Sequence, residues 1–360
     1  MTIISFADPD NGGKSMKVAV VGCGNISRFH FRAILANPLA QLTALCDRDE
    51  ALVGQMAERL GVKSTYTDFD ALLNKEELDV LHVCTPPSTH PSIAIKAIER
   101  GLHVLVEKPM ALDVADADKM IKAARRKKVK LCVNHNAVFE PVIGRARDIV
   151  NSYDFGELIH VSSYFAFDAG RVLRGAPLAN RGPMSWYKDL KGNILQDLFP
   201  HPASIVLSFM HDYTACYPIL KTFYKEDGIE DEARMLLDSD KVTGNVTLSL
   251  RTQPDIFTID LYGSKMILRV DFANMSLVKQ KPRDIPKFIA RAVDNMSQAD
   301  QICRNTVGTI FGVLLKRVTN AGGIDALVNE FYRSIDRDWP VPVSGEEGKK
   351  VVDLAQKLWT

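Results

Sequence analysis

The sequence predicts an α/β chain in two parts: a parallel sheet covered by helices, then an α+β part whose open sheet is mainly antiparallel. Three observations carry this reading. An apolar strand, Lys17 to Val21, runs straight into Gly22-Cys23-Gly24 and a helix-patterned segment. Strands and helices then alternate through about residue 134, the signature of a parallel sheet. From Arg234 onward, Met235–Leu237, Val242–Arg251, Ile256–Tyr262 and Met266–Phe272 follow one another with no room for helices, which favours antiparallel pairing.

Composition narrows the function classes. A chain of 360 residues fits one large or two ordinary domains. The formal net charge of +1 gives no electrostatic reason to expect nucleic acid or an anionic membrane. No run of about 18 apolar residues appears, so no membrane span is expected. Met1 to Lys17 lacks a basic start followed by an apolar core, and its turn-rich Asp8 to Gly13 predicts a loose tail. The six cysteines are scattered singly without CxxC spacing, which suits buried thiols better than disulfides or zinc. The expected compartment is the cytoplasm.

The first turn is the most informative element. Gly22 permits the tight bend, Gly24 lets backbone approach a pyrophosphate over the helix N-terminus, and Ser27 is small enough for close helix–sheet packing. The second strand, Leu42 to Cys46, ends in Asp47-Arg48-Asp49. An acid there accepts both ribose hydroxyls of a dinucleotide and repels a 2′-phosphate, which argues for NAD, while Arg48 keeps NADP open. A solvated charged turn is the competing reading. Helices at Glu50 to Leu60 and around Phe69 to Leu73 precede the strand Asp79 to Cys84, which ends in Thr85-Pro86-Pro87-Ser88-Thr89-His90. The paired prolines fix a loop at the sheet's carboxyl edge, and His90 suits a structural place at a helix start. After the helix Ile93 to Arg100, the strand His103 to Val106 delivers Glu107-Lys108-Pro109 where open α/β sheets place their ligands. Taken alone, that charged triplet suits surface decoration equally well. Asp113 caps a helix running to about Lys128, and Val129 to Val133 leads to Asn134-His135-Asn136.

Beyond a helix near Val138 to Val150, Leu158 to Phe167 reads as a strand, followed by a polar, glycine- and proline-rich stretch from Asp168 to Gly192. Its arginines and aromatics, among them Arg181, Trp186 and Tyr187, suit recognition of a polar, hydroxylated or anionic ligand. Asp197 and His201 stand four apart and share a face if the segment is helical, although Pro200 and Pro202 perturb a helix. A histidine beside a carboxylate is a general acid–base pair, yet spacing alone favours a capping acid next to a buried histidine. Two or three helices fill Arg283 to Arg337, and Glu346 to Trp359 is a final helix. No histidine–cysteine–carboxylate spacing suits a metal, and neither a GxSxG elbow nor a GxxxxGK[ST] loop is present.

Together these motifs resemble the glucose–fructose oxidoreductase, inositol dehydrogenase and MocA (Gfo/Idh/MocA) family of NAD(P)-dependent oxidoreductases. The resemblance rests on Gly22-x-Gly24, Asp47, the run Cys84 to His90, Glu107-Lys108-Pro109, Asp197-x-x-x-His201 and Tyr262-Gly263-Ser264-Lys265. It implies an N-terminal Rossmann parallel sheet over residues 16–135 behind a tail at 1–15. A substrate and oligomerisation domain at 136–344 and a C-terminal helix at 345–360 complete the chain. It also implies hydride transfer between NAD and a secondary alcohol or ketone of a sugar, sugar derivative or cyclic polyol. Lys108 would serve the reacting oxygen, His201 would carry the proton, and Asp197 would orient the histidine or the substrate. Cofactor contacts would come from Gly22, Gly24, Asn25, Ile26, Asp47, Arg48, Thr85, Pro86, His90, Glu107 and Lys108, with a cis peptide before Pro109. Substrate contacts would come from Lys108, Asn136, Arg181, Trp186, Tyr187, Asp197 and His201. The C-terminal sheet would pair subunits into homodimers or homotetramers. Two departures stand out: Phe199-Pro200 replaces the small residue the family often has before the histidine, and the helical region at 283–320 exceeds a minimal member's. Relatives that recycle a tightly held NAD in glycosidase- or dehydratase-like chemistry, and a non-catalytic dinucleotide sensor, are the alternatives.

Overall fold

The computed structural model describes residues 15–168, 190–223, 230–314 and 322–359. The chain divides into two compact units, Met1–Asn136 with Gly323–Asp353 and Ala137–Gly322 with Leu354–Thr360. The first unit thus includes a C-terminal segment.

The first unit is built on six parallel strands, β1 (Met16–Val21), β2 (Ala40–Cys46), β3 (Ser64–Tyr66), β4 (Val80–Val83), β5 (His103–Val106) and β6 (Leu131–Val133), in the order β3-β2-β1-β4-β5-β6. That order reverses direction between β1 and β4, so the crevice at their carboxyl ends is the place where such sheets bind ligands. Strands covered on both faces must be apolar throughout. Accordingly Val18, Ala19, Val20, Val80, Leu81, Val104, Leu105 and Val106 are fully buried. The connecting helices are α1 (Ser27–Leu35), α2 (Glu50–Leu60), α3 (Phe69–Lys75), α4 (His90–Glu99) and α5 (Val114–Lys127). Three begin on aspartates that accept a backbone N–H: Asp49 from Leu52 at 3.0 Å, Asp68 from Ala71 at 2.7 Å and Asp113 from Asp116 at 2.8 Å. Each such cap is worth about 1 kcal/mol.

The C-terminal segment joins this unit through specific contacts. Helix α10 (Gly322–Asp336) ties to α1, where Arg32 donates to Asp325 at 2.8 Å and Asn37 to Asn329 at 3.2 Å. Ser344 bridges to Cys132 of β6, and helix α11 (Gly345–Leu358) passes so close to that strand that a Cβ on Gly348 would lie 2.6 Å from Val133.

The second unit carries seven strands, β7 (Leu158–Asp168), β8 (Ala215–Lys221), β9 (Glu232–Asp238), β10 (Thr243–Ser249), β11 (Arg251–Gly263), β12 (Ile267–Asp271) and β13 (Ser276–Gln280). Their order is β13-β12-β11-β7-β10-β9-β8, antiparallel except for the central β7–β10 pair, which is parallel. Phe165, Phe257 and Phe272 stack in sequence with ring centroids 4.6 Å apart at both steps. Strand β8 is absent from the sequence reading because Pro218 interrupts its pattern. Its place at the edge of the sheet is where a strand proline loses no ladder bond. Helices α6 (Pro141–Val150), α7 (Asn193–Leu198), α8 (Pro200–Met210) and α9 (Lys287–Leu314) complete the unit.

The 28-residue α9 guards the opposite edge. Gln301 accepts from the Lys279 N–H at 2.9 Å and donates to its carbonyl at 3.1 Å, while Asn305 donates to the Leu277 carbonyl at 3.0 Å. Side-chain amides thus stand in for the missing neighbour strand of β13. At 100° per residue the opposite face of α9 carries Phe288, Met296, Val307 and Ile310, and Phe288 and Met296 are each 74% exposed. No described helix is long and apolar enough to cross a membrane.

Candidate active site

The glycine turn is shaped by one close approach. Gly22 has φ +93°, and a Cβ there would fall 2.6 Å from the Cys84 carbonyl and 2.8 Å from the Thr85 nitrogen, so only glycine lets β1 pass the end of β4. A Cβ on Gly24 would meet nothing within 4 Å, and Gly24 is exposed. Next to this open space begins α1, whose N-terminus has no side-chain cap and no acid in its first turn. An uncapped helix N-terminus behind a bare glycine fits a pyrophosphate. Asn25 is exposed on the turn and Ile26 stands at the N-cap. Asp47 leaves β2 and accepts from the Cys23 N–H at 2.7 Å, which fixes the acid against the turn. Arg48 is exposed.

Thr85 and Pro86, both half-buried, follow β4. His90 opens α4. It is fully buried, with its ring nitrogens 2.7 Å from the Thr85 carbonyl and 2.9 Å from the Pro109 carbonyl. It ties the loops after β4 and β5 together and offers no ring edge to a ligand.

At the end of β5 the Lys108–Pro109 peptide is cis, as the family resemblance implies. Lys108 is half-buried, whereas Glu107 is only 5% exposed. Glu107 Oε2 accepts from the Lys108 N–H at 3.1 Å, and Oε1 lies 2.8 Å from His30 Nε2 and 2.5 Å from the Asn134 amide that donates to it. Burial alone raises this carboxyl. The His30 bond, the Lys108 charge and the Asn134 amide overcome that and hold it below the usual carboxylate range. Behind Glu107 the contacts continue: His30 Nδ1 is 2.8 Å from His82 Nδ1, and His82 Nε2 is 2.9 Å from the Tyr332 hydroxyl. His30, His82 and Tyr332 are fully buried. Sequence reasoning missed this chain. The available signal was a histidine inside the otherwise apolar Val80-Leu81-His82-Val83 strand. Asn134 Oδ1 and His135 Nε2, just after β6, are buried with no partner among the described residues. Burial, with the Lys108 charge nearby, pushes His135 down to about 4. Asn136 opens the 3-10 turn Asn136–Phe139 and is half-buried.

In the second unit Asp197 lies on α7 and is buried, and His201 is the second residue of α8 and half-buried. The prolines do not break the path between them. Phe199 keeps helical angles of −53° and −35°, and Pro200 takes the first position of α8, where its missing N–H has no helical partner to lose. The Phe199 N–H donates to the Leu195 carbonyl at 2.8 Å, and the Ala203 N–H to the Phe199 carbonyl at 3.2 Å. Asp197 and His201 are therefore about 6 Å apart along a nearly continuous helix. Arg181, Trp186 and Tyr187 lie outside the described residues. A cleft of about 890 Å³ opens among Phe209, His211, Thr214 and Lys241, with no candidate site residue on its walls.

Among the described residues no group of three or more His, Cys, Asp or Glu side chains could hold a metal ion. Burial pushes the Cys23, Cys46 and Cys132 thiols up to about 12, which leaves no thiolate there.

Residues 16–135 match the Gfo/Idh/MocA model described as an oxidoreductase family with an NAD-binding Rossmann fold, and residues 143–269 match the GFO/IDH/MocA C-terminal domain. The chain belongs to the Gfo/Idh/MocA family. It is 34% identical to a D-apiose dehydrogenase of Paraburkholderia graminis over 186 residues, 51% of this chain and 48% of that protein. The match thus spans about half the length of that relative. A UDP-N-acetylglucosamine 3-dehydrogenase of Acidithiobacillus ferrooxidans aligns over 95% of this chain and 96% of its own length at 25% identity. The crystal structure of an Agrobacterium radiobacter oxidoreductase, solved with NAD+, L-tartaric acid and magnesium, shares the fold at TM-score 0.77 and 19% identity, covering 95% of each chain. Residues 16–135 of the first unit accordingly carry the family's NAD-binding Rossmann fold.

Proposed function

We propose that this protein is an NAD-dependent dehydrogenase or reductase acting on a secondary alcohol or ketone of a sugar, sugar derivative or cyclic polyol. The observation that carries the reading is Glu107-Lys108-Pro109 at the carboxyl end of β5, beside the strand-order reversal of a family-matched sheet. Its relatives support the substrate class: one is named for D-apiose, another for UDP-N-acetylglucosamine.

When bound, the nicotinamide nucleotide takes up or returns the hydride. Gly24 and the α1 N-terminus hold its phosphates, and Asp47 accepts from its ribose, which favours NAD over NADP. A carbon that gives up hydride must also lose the proton of its hydroxyl, so a base and a stabilising cation both serve that oxygen. His201 takes the proton in oxidation and returns it in reduction, oriented by Asp197. The Lys108 ammonium stabilises the developing alkoxide charge.

The test is absorbance at 340 nm across sugars, nucleotide sugars and inositols, with NAD and NADP supplied separately. One compound should give turnover, which Lys108→Ala and His201→Ala should each abolish while circular dichroism stays unchanged. Wild-type turnover by both variants would remove the assigned acid–base site.

A further inference from the structure

The buried contacts behind Glu107 fix their own protons. Tyr332 Oη, His82 Nε2, His82 Nδ1, His30 Nδ1, His30 Nε2 and Glu107 Oε1 form three successive contacts of 2.9, 2.8 and 2.8 Å, each needing one proton. A carboxylate only accepts, so the proton facing Glu107 sits on His30 Nε2. Burial drives His82 well below its ordinary value, so His82 is neutral and carries a single N–H. Tyr332 is fully buried and among the described residues has no hydrogen-bond partner other than His82, so its hydroxyl must donate there or leave a buried proton unpaired. That leaves His82 Nδ1 to donate to His30 Nδ1. All three bonds then run one way, Tyr332 to His82 to His30 to Glu107, with both imidazoles neutral and the carboxylate as the terminus.

The terminus is also an anchor. The Glu107 oxygen not held by His30 and Asn134 accepts the Lys108 N–H, so the orientation of that carboxylate sets the backbone from which the Lys108 side chain springs. Helix α10 supplies Tyr332, α1 supplies His30 and β4 supplies His82, so one chain of bonds links three elements to the residue before Lys108. We infer that Tyr332, His82 and His30 are positioning residues that lock Glu107 as an oriented carboxylate and thereby hold Lys108 in its working place. This inference rests on the reading of Lys108 given above.

Histidine-15N-labelled full-length protein tests it without a known substrate. At pH 7 His82 should appear as the neutral Nδ1–H tautomer and His30 as the neutral Nε2–H tautomer, and Tyr332→Phe should shift the His82 Nε2 resonance as it loses its donor without changing either tautomer. A charged imidazole at either position, or Nε2–H on His82 of the wild type, overturns the one-way chain. Once a substrate is in hand, Tyr332→Phe and His82→Leu should lower kcat about ten- to a hundredfold, as a misplaced group does, with NAD affinity held within about twofold. His82→Asn should restore most of kcat, because its amide can donate to His30 from near the same point. Wild-type kcat in His82→Leu, beside an inactive Lys108→Ala, overturns the positioning role alone. Turnover by Lys108→Ala removes the reading beneath it. Equal losses in the Leu and Asn variants show a packing role and also overturn it.

Discussion

Substituting the two glycines of the first turn separates a residue the fold needs from one the ligand needs. Gly22→Ala places a methyl at φ +93°, 2.6 Å from the Cys84 carbonyl carbon and oxygen and 2.8 Å from the Thr85 nitrogen. All three are backbone atoms, so no side chain can swing away. The left-handed conformation costs alanine about 1–2 kcal/mol, and forced overpacking adds about 1–3 kcal/mol. The sum, about 2–5 kcal/mol, corresponds to a fall in Tm of about 4–20 °C at ~2–4 °C per kcal/mol. Gly24→Ala meets nothing within 4 Å and has no positive φ recorded, so its stability should change by less than about 0.5 kcal/mol. Its new methyl nevertheless stands where the pyrophosphate is placed, so NAD affinity should drop at least tenfold, about 1.4 kcal/mol. Scanning calorimetry and NAD titration calorimetry on both variants read the two effects separately. Gly22→Ala with a wild-type Tm would refute the steric argument, and Gly24→Ala with wild-type NAD affinity would refute the placement of the phosphates.

Three further outcomes are expected. Asp47→Ala should weaken NAD more than NADP in parallel binding titrations, and an unchanged ratio would end the ribose assignment. His135 titrates near 6.5 when unfolded and at about 4 when folded, so the folded protein binds fewer protons between those values. Its contribution is therefore complete above pH 6.5 and lost as pH falls to about 4, amounting to roughly 3 kcal/mol. Urea unfolding across that window should show a shallower pH slope in His135→Asn, and an identical slope would mean that another group carries the loss. Arg32→Ala, which cuts the tie between α1 and α10, should cost no more than about 1 kcal/mol because both partners are partly exposed; a larger loss in chemical denaturation would show that the pair does more than an ordinary surface bridge.

What could be read from the sequence is what local chemistry encodes. The strand His103–Val106 and the helix Glu50–Leu60 stand at their expected limits because continuous apolarity and an aspartate cap are local signals. Glu107 and Lys108 stood out for the same reason, being charges at the end of a buried strand. Distant contacts left no such mark. Nothing near residue 332 says that its hydroxyl meets a strand 250 positions earlier, and so neither the buried chain nor the return of Gly323–Asp353 to the first unit was visible. At His90 both ring nitrogens lie on carbonyls, in keeping with the structural place that its position at a helix start suits.

Helix α9 inverts the usual link between hydrophobicity and constraint. Its polar amides hold the sheet edge, while its bulkiest apolar side chains stand in water. Replacing Phe288, Met296 or Ile310 with glutamine empties no cavity and should leave folding within about 0.5 kcal/mol, whereas losing Gln301 strips a strand of two bonds. A hydropathy profile ranks these positions the other way round. Retention on a phenyl column should fall with each glutamine added to the outer face, which makes that face a place to adjust how the protein behaves in solution without disturbing its fold.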